Sequence, residues 1–320
     1  MSTWLVTGGV GFIGYHVTRA LLARGDAVTV LDDYSDAPYP VREKRRNEAD
    51  LRASADAARL RLLEGCVTDR SVVERAIEGT DGVVHLAGLA GVRPSFKSPA
   101  RYARVNVEGT AVTLELAREV SAARYLFASS SSVYGNSTPL PATEDAPAIV
   151  PESPYAASKR GAELVASSIA RIAGPLPITA LRFFTVYGPR QRPEMAITLF
   201  TRAVLAGKPI TVFGDGSMRR DFTHVSDIVR GIVSAKERAP AGFRAYNLGS
   251  GAPIELGALV DRIGAACARK PIVERASVPP GDVDATFADI SRAKTELGWS
   301  PEVPLVEGLE SVRDWVAQNP

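Results

Sequence analysis

The sequence of 320 residues has few cysteines and few histidines. Cys66 and Cys267 are the only cysteines, and neither belongs to a C-x-x-C or C-x-x-H pattern. This usage favours two free thiols over a disulfide or a structural metal site. The three histidines also lack the spacing of metal ligands, so we expect the protein to hold no metal.

Long apolar runs and a one-sided charge are missing as well. No apolar stretch approaches 18 residues, and the first apolar strand begins at Trp4, so we expect neither a membrane span nor a signal peptide. The net charge is only +2, and "REKRR" at 42–46 is too short to indicate nucleic-acid binding. We interpret that run as a solvated helix face. These absences predict a cytoplasmic protein with no nucleic-acid or membrane partner.

The chain does contain a regular alternation of apolar strands and amphipathic helices. Strands are expected at 4–9, 27–33, 82–88 and 124–130, and helices at 12–25, 69–79 and 99–121. This alternation predicts an α/β fold, a Rossmann-type doubly wound parallel sheet.

Prolines and loop-like segments become more frequent after residue 182. We therefore expect a Rossmann domain at 1–182, to which the chain returns around 219–248. Residues 183–320 would mainly form a smaller C-terminal substrate-binding domain. The active site is expected in the cleft between the two parts.

The first strand runs into "TGGVGFIG" at 7–14, a glycine-rich turn that precedes a helix. Glycine at this spacing allows a tight turn, a close approach of the backbone to a pyrophosphate, and close packing of helix on strand. The helix N-terminus then offers free N–H groups to the phosphates. Asp32, at the end of the next strand, is placed to accept hydrogen bonds from the adenosine ribose. The predicted cofactor-binding residues are Gly8, Gly11, Phe12, Ile13, Gly14 and Asp32.

The acidic stretch "DDYSD" at 32–36 bears on which dinucleotide is bound. Its carboxylates would repel the 2′-phosphate of NADP. The sequence therefore predicts NAD as the cofactor.

A second pattern, "YAASK" at 155–159, places Tyr155 and Lys159 one helical turn apart on the same face. A free tyrosine is a poor base at neutral pH because its pKa is about 10. A neighbouring ammonium stabilises the phenolate and lowers that pKa, which makes the tyrosine a usable proton shuttle.

Together these motifs resemble the extended short-chain dehydrogenase/reductase family, whose members include NAD-dependent epimerases and dehydratases. The resemblance covers nearly the whole chain, because "TGGVGFIG", "HLAG", "SSSSVYG", "YAASK", "RFFTVYGP" and "RRDFTHVSD" occur in the family's order. It implies that the catalytic triad is Ser130, Tyr155 and Lys159. It also implies that Lys159 binds the nicotinamide ribose.

The sequence departs from the family pattern at two positions. Family members often have an aspartate that contacts the adenine where this chain has Cys66, so this chain lacks the residue that makes that contact. Gly88 in "HLAG" stands where the family usually has a second alanine, and we expect this difference to matter little.

Four consecutive serines at 129–132 distinguish this chain from family members that eliminate water from a hexose. Those members have an acidic pair directly after the catalytic hydroxyl, and nucleotide-sugar decarboxylases tend to have a carboxylate there. Here the positions hold Ser131 and Ser132. An unactivated serine is neither a useful acid nor a useful base. The resemblance therefore implies 4-epimerisation, in which one sugar carbon is oxidised and reduced again.

The segments "GLAGVRPS" at 88–95 and "RFFTVYGPRQRPEMAI" at 182–197 resemble family members that act on UDP-glucuronate. The implied ligands of the sugar carboxylate are Ser131, Ser132, Thr185 and Arg192. The implied contacts to the UDP group and the sugar are Arg93, Arg220 and Asp282. A UDP-glucose or UDP-N-acetylglucosamine 4-epimerase remains an alternative, and a UDP-glucuronate decarboxylase is another. The family resemblance also implies a homodimer.

Overall fold

The structure is a computed structural model that describes residues 2–36, 39–148, 150–172, 174, 176–277 and 283–319. Its thirteen described strands are β1 (Thr3–Thr7), β2 (Ala27–Asp32), β3 (Leu60–Glu64), β4 (Gly82–His85), β5 (Arg124–Ser130), β6 (Pro177–Phe183), β7 (Thr185–Tyr187), β8 (Pro209–Phe213), β9 (Arg219–Arg220), β10 (Phe222–His224), β11 (Gly242–Leu248), β12 (Ile254–Glu255) and β13 (Ile272–Ala276). Its described α-helices are α1 (Phe12–Ala23), α2 (Val41–Arg52), α3 (Arg70–Ile77), α4 (Val92–Lys97), α5 (Pro99–Ala103), α6 (Gly109–Glu119), α7 (Pro154–Ala170), α8 (Ala196–Leu205), α9 (Val225–Arg238), α10 (Leu256–Ala266) and α11 (Leu305–Gln318). Short 3-10 and π-helical turns connect several of them.

Seven strands form the central sheet, in the order β11-β6-β5-β4-β1-β2-β3, and every neighbouring pair is parallel. The inner strands are apolar and buried on both faces, as expected when helices cover a parallel sheet on both sides. The strand order changes direction between β1 and β4, which is where doubly wound sheets open a crevice for ligands. The predicted α/β fold is confirmed.

Two apolar clusters attach the helices to the two faces of this sheet. On one face, α1 and α9 pack around Leu21 and Ile228. On the other face, α3, α6 and α7 pack around Leu114 and Ala166. β11 lies at the edge of the same sheet and pairs with β6 over Gly242–Leu248.

A third apolar cluster belongs to the C-terminal half of the chain. It joins α8, α10 and α11 with β8, through residues such as Phe200, Leu259 and Val312. Because the strands around it are paired only in twos, this part of the protein has no large sheet among its described residues.

The segment predicted as a helix at 99–121 is helical over 99–119 in the structure, but it contains a π-helical turn. A π-helical turn at Arg104–Glu108 separates α5 from α6. The turn brings Asn106 inward, where its side chain accepts a hydrogen bond from the Leu89 N–H at 2.8 Å and donates to the Leu89 carbonyl at 3.0 Å. Single π turns often occur at functional sites, and this one fixes the loop that follows β4.

The basic run at 42–46 differs from its sequence interpretation. It lies in α2, and Arg42, Arg45 and Arg46 are exposed as expected for a solvated face. Lys44 is buried, however, because its ammonium lies 2.8 Å from Asp32 and 3.2 Å from Asp33. The interpretation was therefore wrong for this one residue.

Candidate active site

A large cavity opens at the carboxyl ends of the central strands, with a volume of about 940 Å³. This is near the upper end of the roughly 300–1,000 Å³ typical of small-molecule sites. The structure brings together every predicted site residue that it describes, and these line the cavity: Gly8, Gly11, Phe12, Ile13, Gly14, Asp32, Arg93, Ser130, Ser131, Ser132, Tyr155, Lys159, Thr185, Arg192 and Arg220. Asp282 lies outside the described residues.

The glycine-rich turn between β1 and α1 is tightly constrained. Gly8 has φ +69°, in the left-handed region, and a Cβ there would lie 2.8 Å from the Ala87 nitrogen. A Cβ on Gly14 would lie 2.0 Å from the Gly8 carbonyl oxygen. Only glycine fits at either position.

The N-terminus of α1 meets the chemical requirements of a phosphate group. Gly11 caps the helix with extended backbone and without a side-chain hydrogen bond, so the first-turn N–H groups have no side-chain acceptor. Free N–H groups and the positive end of the helix dipole together suit an anion. The residues present therefore fit the diphosphate of a dinucleotide.

Asp32 ends β2 and is buried at the edge of the cavity. One of its carboxylate oxygens accepts hydrogen bonds from the Tyr34 N–H at 3.0 Å and from the Lys44 ammonium at 2.8 Å. Lys44 was not predicted as a site residue, because its position in a run of charged residues indicated a solvated face. Its contact with Asp32 fixes the carboxylate at the expected position of the ribose.

The three predicted catalytic residues come from two neighbouring elements. Ser130 ends β5, accepts a hydrogen bond from the Ser132 N–H at 3.1 Å, and starts a 3-10 turn over Ser131–Tyr134. Tyr155 and Lys159 lie on α7, which Ser153 caps by accepting the Ala156 N–H at 3.2 Å. The Lys159 ammonium donates to the Ala128 carbonyl at 2.9 Å.

Burial sets the protonation of these residues. It raises the pKa of Tyr155, against the opposing effects of a hydrogen bond with Ser130 and the charge of Arg192. Burial also lowers the pKa of Lys159 to about 8, although the carboxylate of Glu163 acts in the opposite direction. Tyr155 therefore needs nearby positive charge to ionise. The Lys159 ammonium loses its proton at a lower pH than an exposed lysine does.

The four consecutive serines differ in the contacts of their side chains. Ser129 donates to the buried carboxylate of Glu163 at 2.6 Å, so its hydroxyl proton is already engaged, although the residue also lines the cavity. Ser130 also donates to the Ser132 hydroxyl at 3.2 Å. Ser131 and Ser132 line the cavity, and no carboxylate of the described residues is hydrogen-bonded to either of them.

A positively charged side chain from another loop also lines the cavity. Arg192 lies in the loop between β7 and α8, with its side chain only 17% exposed. Its guanidinium is 3.2 Å from the Glu194 carboxylate and donates to the Met195 sulfur at 3.2 Å. Thr185, at the start of β7, lines the same cavity. Neither Glu194 nor Met195 was predicted, since neither carries a motif of its own.

Two further arginines line the cavity where residues of the C-terminal half of the chain contribute to it. The Arg93 guanidinium stacks over the Phe213 ring at 4.9 Å, which joins α4 to β8. Arg220 donates to the backbone carbonyls of Arg219 and Asp284 at 3.0 and 3.2 Å.

These features define an enzyme class: a dinucleotide-binding α/β protein with a serine–tyrosine–lysine site beside a cavity lined by arginines. Residues 4–249 match the model of the NAD dependent epimerase/dehydratase family. The chain belongs to this family, as the resemblance predicted, and NAD is confirmed as its cofactor. A UDP-glucuronate 4-epimerase of Thermodesulfobacterium geofontis is 37% identical over 100% of this chain and 97% of its own length.

Solved structures agree with this assignment. The crystal structure of UDP-glucuronic acid 4-epimerase from Bacillus cereus, in complex with UDP-glucuronic acid and NAD, is similar with a TM-score of 0.92 and 33% identity, covering 99% of both chains. MoeE5 in complex with UDP-glucose and NAD is similar with a TM-score of 0.86 and 34% identity, again covering 99% of both.

Two other kinds of feature are absent from the described part of the chain. Among the described residues, none of the helices is both long and apolar enough to cross a bilayer. Within the same part of the chain, no group of three or more histidine, cysteine or acidic side chains is arranged to hold a metal ion.

Proposed function

We propose that this protein is a UDP-glucuronate 4-epimerase, which interconverts UDP-glucuronate and UDP-galacturonate. The observation that carries the proposal is one cavity lined both by Ser130, Tyr155 and Lys159 and by the Arg192 side chain. The first group suits oxidation and reduction at a sugar carbon. The second suits a carboxylate on the neighbouring carbon, because a guanidinium binds carboxylates in a planar, two-point geometry.

Tyr155 is the residue that moves the proton of the C4 hydroxyl. Bound NAD would supply a reversible hydride acceptor for the C4 carbon. Ser130 orients the hydroxyl by hydrogen bonding, and Lys159 holds a positive charge one helical turn away, which favours the phenolate. Because the same tyrosine returns the proton after the sugar has turned over, the site needs no second acid.

The carboxylate of the substrate must be held while C4 is a ketone, because a β-keto acid loses carbon dioxide readily. We assign this task to Ser131, Ser132, Thr185 and Arg192. Serine and threonine hydroxyls donate hydrogen bonds to a carboxylate without supplying an acid that would assist its departure. Arg192 supplies the opposite charge. The same set distinguishes this site from that of a dehydratase.

We assign Arg93 and Arg220 to the diphosphate and sugar, together with Asp282 near the uridine ribose. The lining of the C-terminal end of the cavity by Arg93, Arg220 and Phe213 supports this placement. In this arrangement residues 1–182 and 219–248 bind NAD, and 183–320 mainly bind the nucleotide sugar. The pairing of β11 with β6 supports the return of the chain to the first part.

We also propose a homodimer formed through α6 and α7, which lie side by side. Leu164 on α7 is 51% exposed and Val120, at the end of α6, is 40% exposed, so this surface has apolar area to bury. The free thiols of Cys66 and Cys267 support a reducing compartment, the cytoplasm. Light scattering of the native protein and of Leu164→Glu tests the dimer, which the variant should dissociate.

The test of function is to incubate the purified protein with UDP-glucuronate, without added NAD, and to follow the sugar products by NMR. UDP-galacturonate is the expected product, and Tyr155→Phe is the matched control, expected to lose at least about a hundredfold in rate. Formation of a UDP-pentose would show that the 4-keto sugar loses carbon dioxide in this site instead of being reduced again. Turnover of UDP-glucose, with none of UDP-glucuronate, would assign the protein to the neutral-sugar epimerases.

A further inference from the structure

Arg190 lies two residues before Arg192, in the same loop, but it is not among the residues that line the cavity. Its φ is +68°, a left-handed conformation that is uncommon for a residue with a side chain. Such a conformation persists only where the surroundings determine it strongly. The side chain is only 10% exposed, so other residues of the protein surround it.

The guanidinium of Arg190 lies between two aromatic rings, 4.0 Å from the centre of Tyr15 and 4.6 Å from the centre of Trp315. It also donates hydrogen bonds to the side-chain oxygen of Asn47 and to the carboxylate of Asp50. These four partners come from α1, α2 and α11. A planar, always-charged group is required to stack and to donate in two directions at once.

Asn47 continues the chain of contacts to the cofactor turn. Its amide nitrogen donates to the Val10 carbonyl at 2.8 Å, and Val10 stands between the glycines of the phosphate-binding turn. Asn47 is 1% exposed. One buried asparagine therefore joins the turn to the Arg190 side chain through opposite ends of its amide group.

The backbone of the loop is held by the same region. The Tyr39 hydroxyl donates to the Arg190 carbonyl at 3.1 Å. The ring nitrogen Nε2 of His16 lies 3.0 Å from the Pro189 carbonyl, which can only accept. Burial lowers the pKa of His16 to about 4, so at neutral pH the ring is neutral and donates its single proton here.

We propose that Arg190 is a positioning residue: it ties the 188–195 loop to the phosphate-binding turn through Asn47, and so aims Arg192 at the sugar carboxylate. This inference rests on the proposed function for the identity of that carboxylate. The chain of contacts runs from Val10 through Asn47 to Arg190, which is two residues from Arg192 along the backbone, so order at the turn favours order at the loop. Coupling of this kind is reciprocal.

The test compares Arg190→Met with Arg46→Met in the NAD-containing protein. Arg46 also stacks on Trp315, at 4.9 Å. Among the described residues its side chain donates to Asn319 and not to the loop or to Asn47, so it is a matched control. Calorimetry gives the affinity of each variant for UDP-glucuronate and for UDP alone. Arg190→Met should weaken UDP-glucuronate at least about fivefold while UDP binding changes less than about twofold.

Two more variants keep the test decisive. Arg190→Lys retains charge and stacking but lacks the planar fork, so it should fold and show a smaller selective loss. In an Arg192→Met background, Arg190→Met should cause no further loss, since Arg190 acts through Arg192. Equal loss for both ligands, no loss, or full additivity with Arg192→Met would overturn the proposal.

Hydrogen exchange separates this inference from the proposed function. The Gln191 and Met195 N–H groups are hydrogen-bonded to the Gly188 and Arg192 carbonyls at 3.1 Å, so peptides covering 188–195 report on the loop without any substrate. Arg190→Met should speed their exchange, and Arg46→Met should not. If the native protein fails to convert UDP-glucuronate, the function is wrong, and unchanged exchange in Arg190→Met would independently refute the tether.

Discussion

Glu163 and Arg182 form a buried two-point ion pair directly behind the reacting residues. The Nε and Nη2 atoms of Arg182 each lie 2.8 Å from a carboxylate oxygen of Glu163. The Glu163 side chain is 0% exposed and the Arg182 side chain 3%. Glu163 lies one helical turn beyond Lys159 and also accepts a hydrogen bond from Ser129, the neighbour of Ser130. The pair therefore connects α7, β5 and β6 at the site.

We predict that Glu163→Gln lowers the pKa of Lys159 further, because the carboxylate is the group that opposes the effect of burial on that lysine. The alkaline limb of the activity profile should then move to lower pH. The variant also leaves Arg182 buried without its partner, which should destabilise the protein by about 3 kcal/mol. Denaturant unfolding and the pH dependence of kcat/KM measure the two effects separately.

The control for this variant is Glu115→Gln. Glu115 is on α6, is 52% exposed, and pairs with Arg70 at 3.2 Å on the surface. Such a pair contributes at most about 1 kcal/mol, so neither stability nor the pH profile should change appreciably. An unshifted alkaline limb in a folded Glu163→Gln protein would contradict the role assigned to this carboxylate.

The activity of the native protein should fall as the pH rises through about 8. Burial lowers the pKa of Lys159 to about 8, so the ammonium that stabilises the Tyr155 phenolate is present below that pH and lost above it. Measuring kcat/KM between pH 6 and pH 10 tests this. A profile that stays flat to pH 10 would mean that Lys159 retains its charge there.

Much of the site could be predicted because it belongs to short local patterns. The turn at Gly8 to Gly14 and the helical spacing of Tyr155 and Lys159 are set by neighbours along the chain, so the sequence shows them directly. Lys44 and Arg190 could not be predicted in this way. Their roles depend on Asp32 and Asn47, which reach them only through the tertiary fold.

The secondary structure likewise contains elements that neighbouring residues determine and elements that depend on distant contacts. β5 matches its prediction over 124–130, because a short apolar run between a charged residue and a run of serines is typical of a buried strand. The π turn between α5 and α6 was not predicted, since a π turn has no strong sequence signature. It is accompanied by a hydrogen bond from the Leu89 N–H to Asn106, a contact across 17 positions.

Gly88 lies close to two side chains of the site, so we expect it to matter more than its sequence interpretation implies. A Cβ at this position would lie 3.0 Å from Asn106 Oδ1 and 3.1 Å from the Lys159 ammonium nitrogen. We predict that Gly88→Ala destabilises the protein by about 1 kcal/mol and lowers kcat, since Lys159 must shift away from the Ala128 carbonyl. Thermal unfolding and steady-state kinetics measure both. Unchanged kinetics would show that the neighbours yield without cost.

Gly14 gives the sharpest prediction for the cofactor. Its Cβ would lie 2.0 Å from the Gly8 carbonyl oxygen, which is backbone and cannot rotate away. Gly14→Ala should therefore push α1 off the phosphate-binding turn, so that the purified protein contains less NAD, as measured by absorbance of the extract after denaturation. Gly25→Ala is the control for an added methyl group, because nothing lies within 4 Å of a Cβ there, although its φ of +87° adds some strain of its own. Retention of the full NAD content by Gly14→Ala would contradict the assignment of this turn as the diphosphate site.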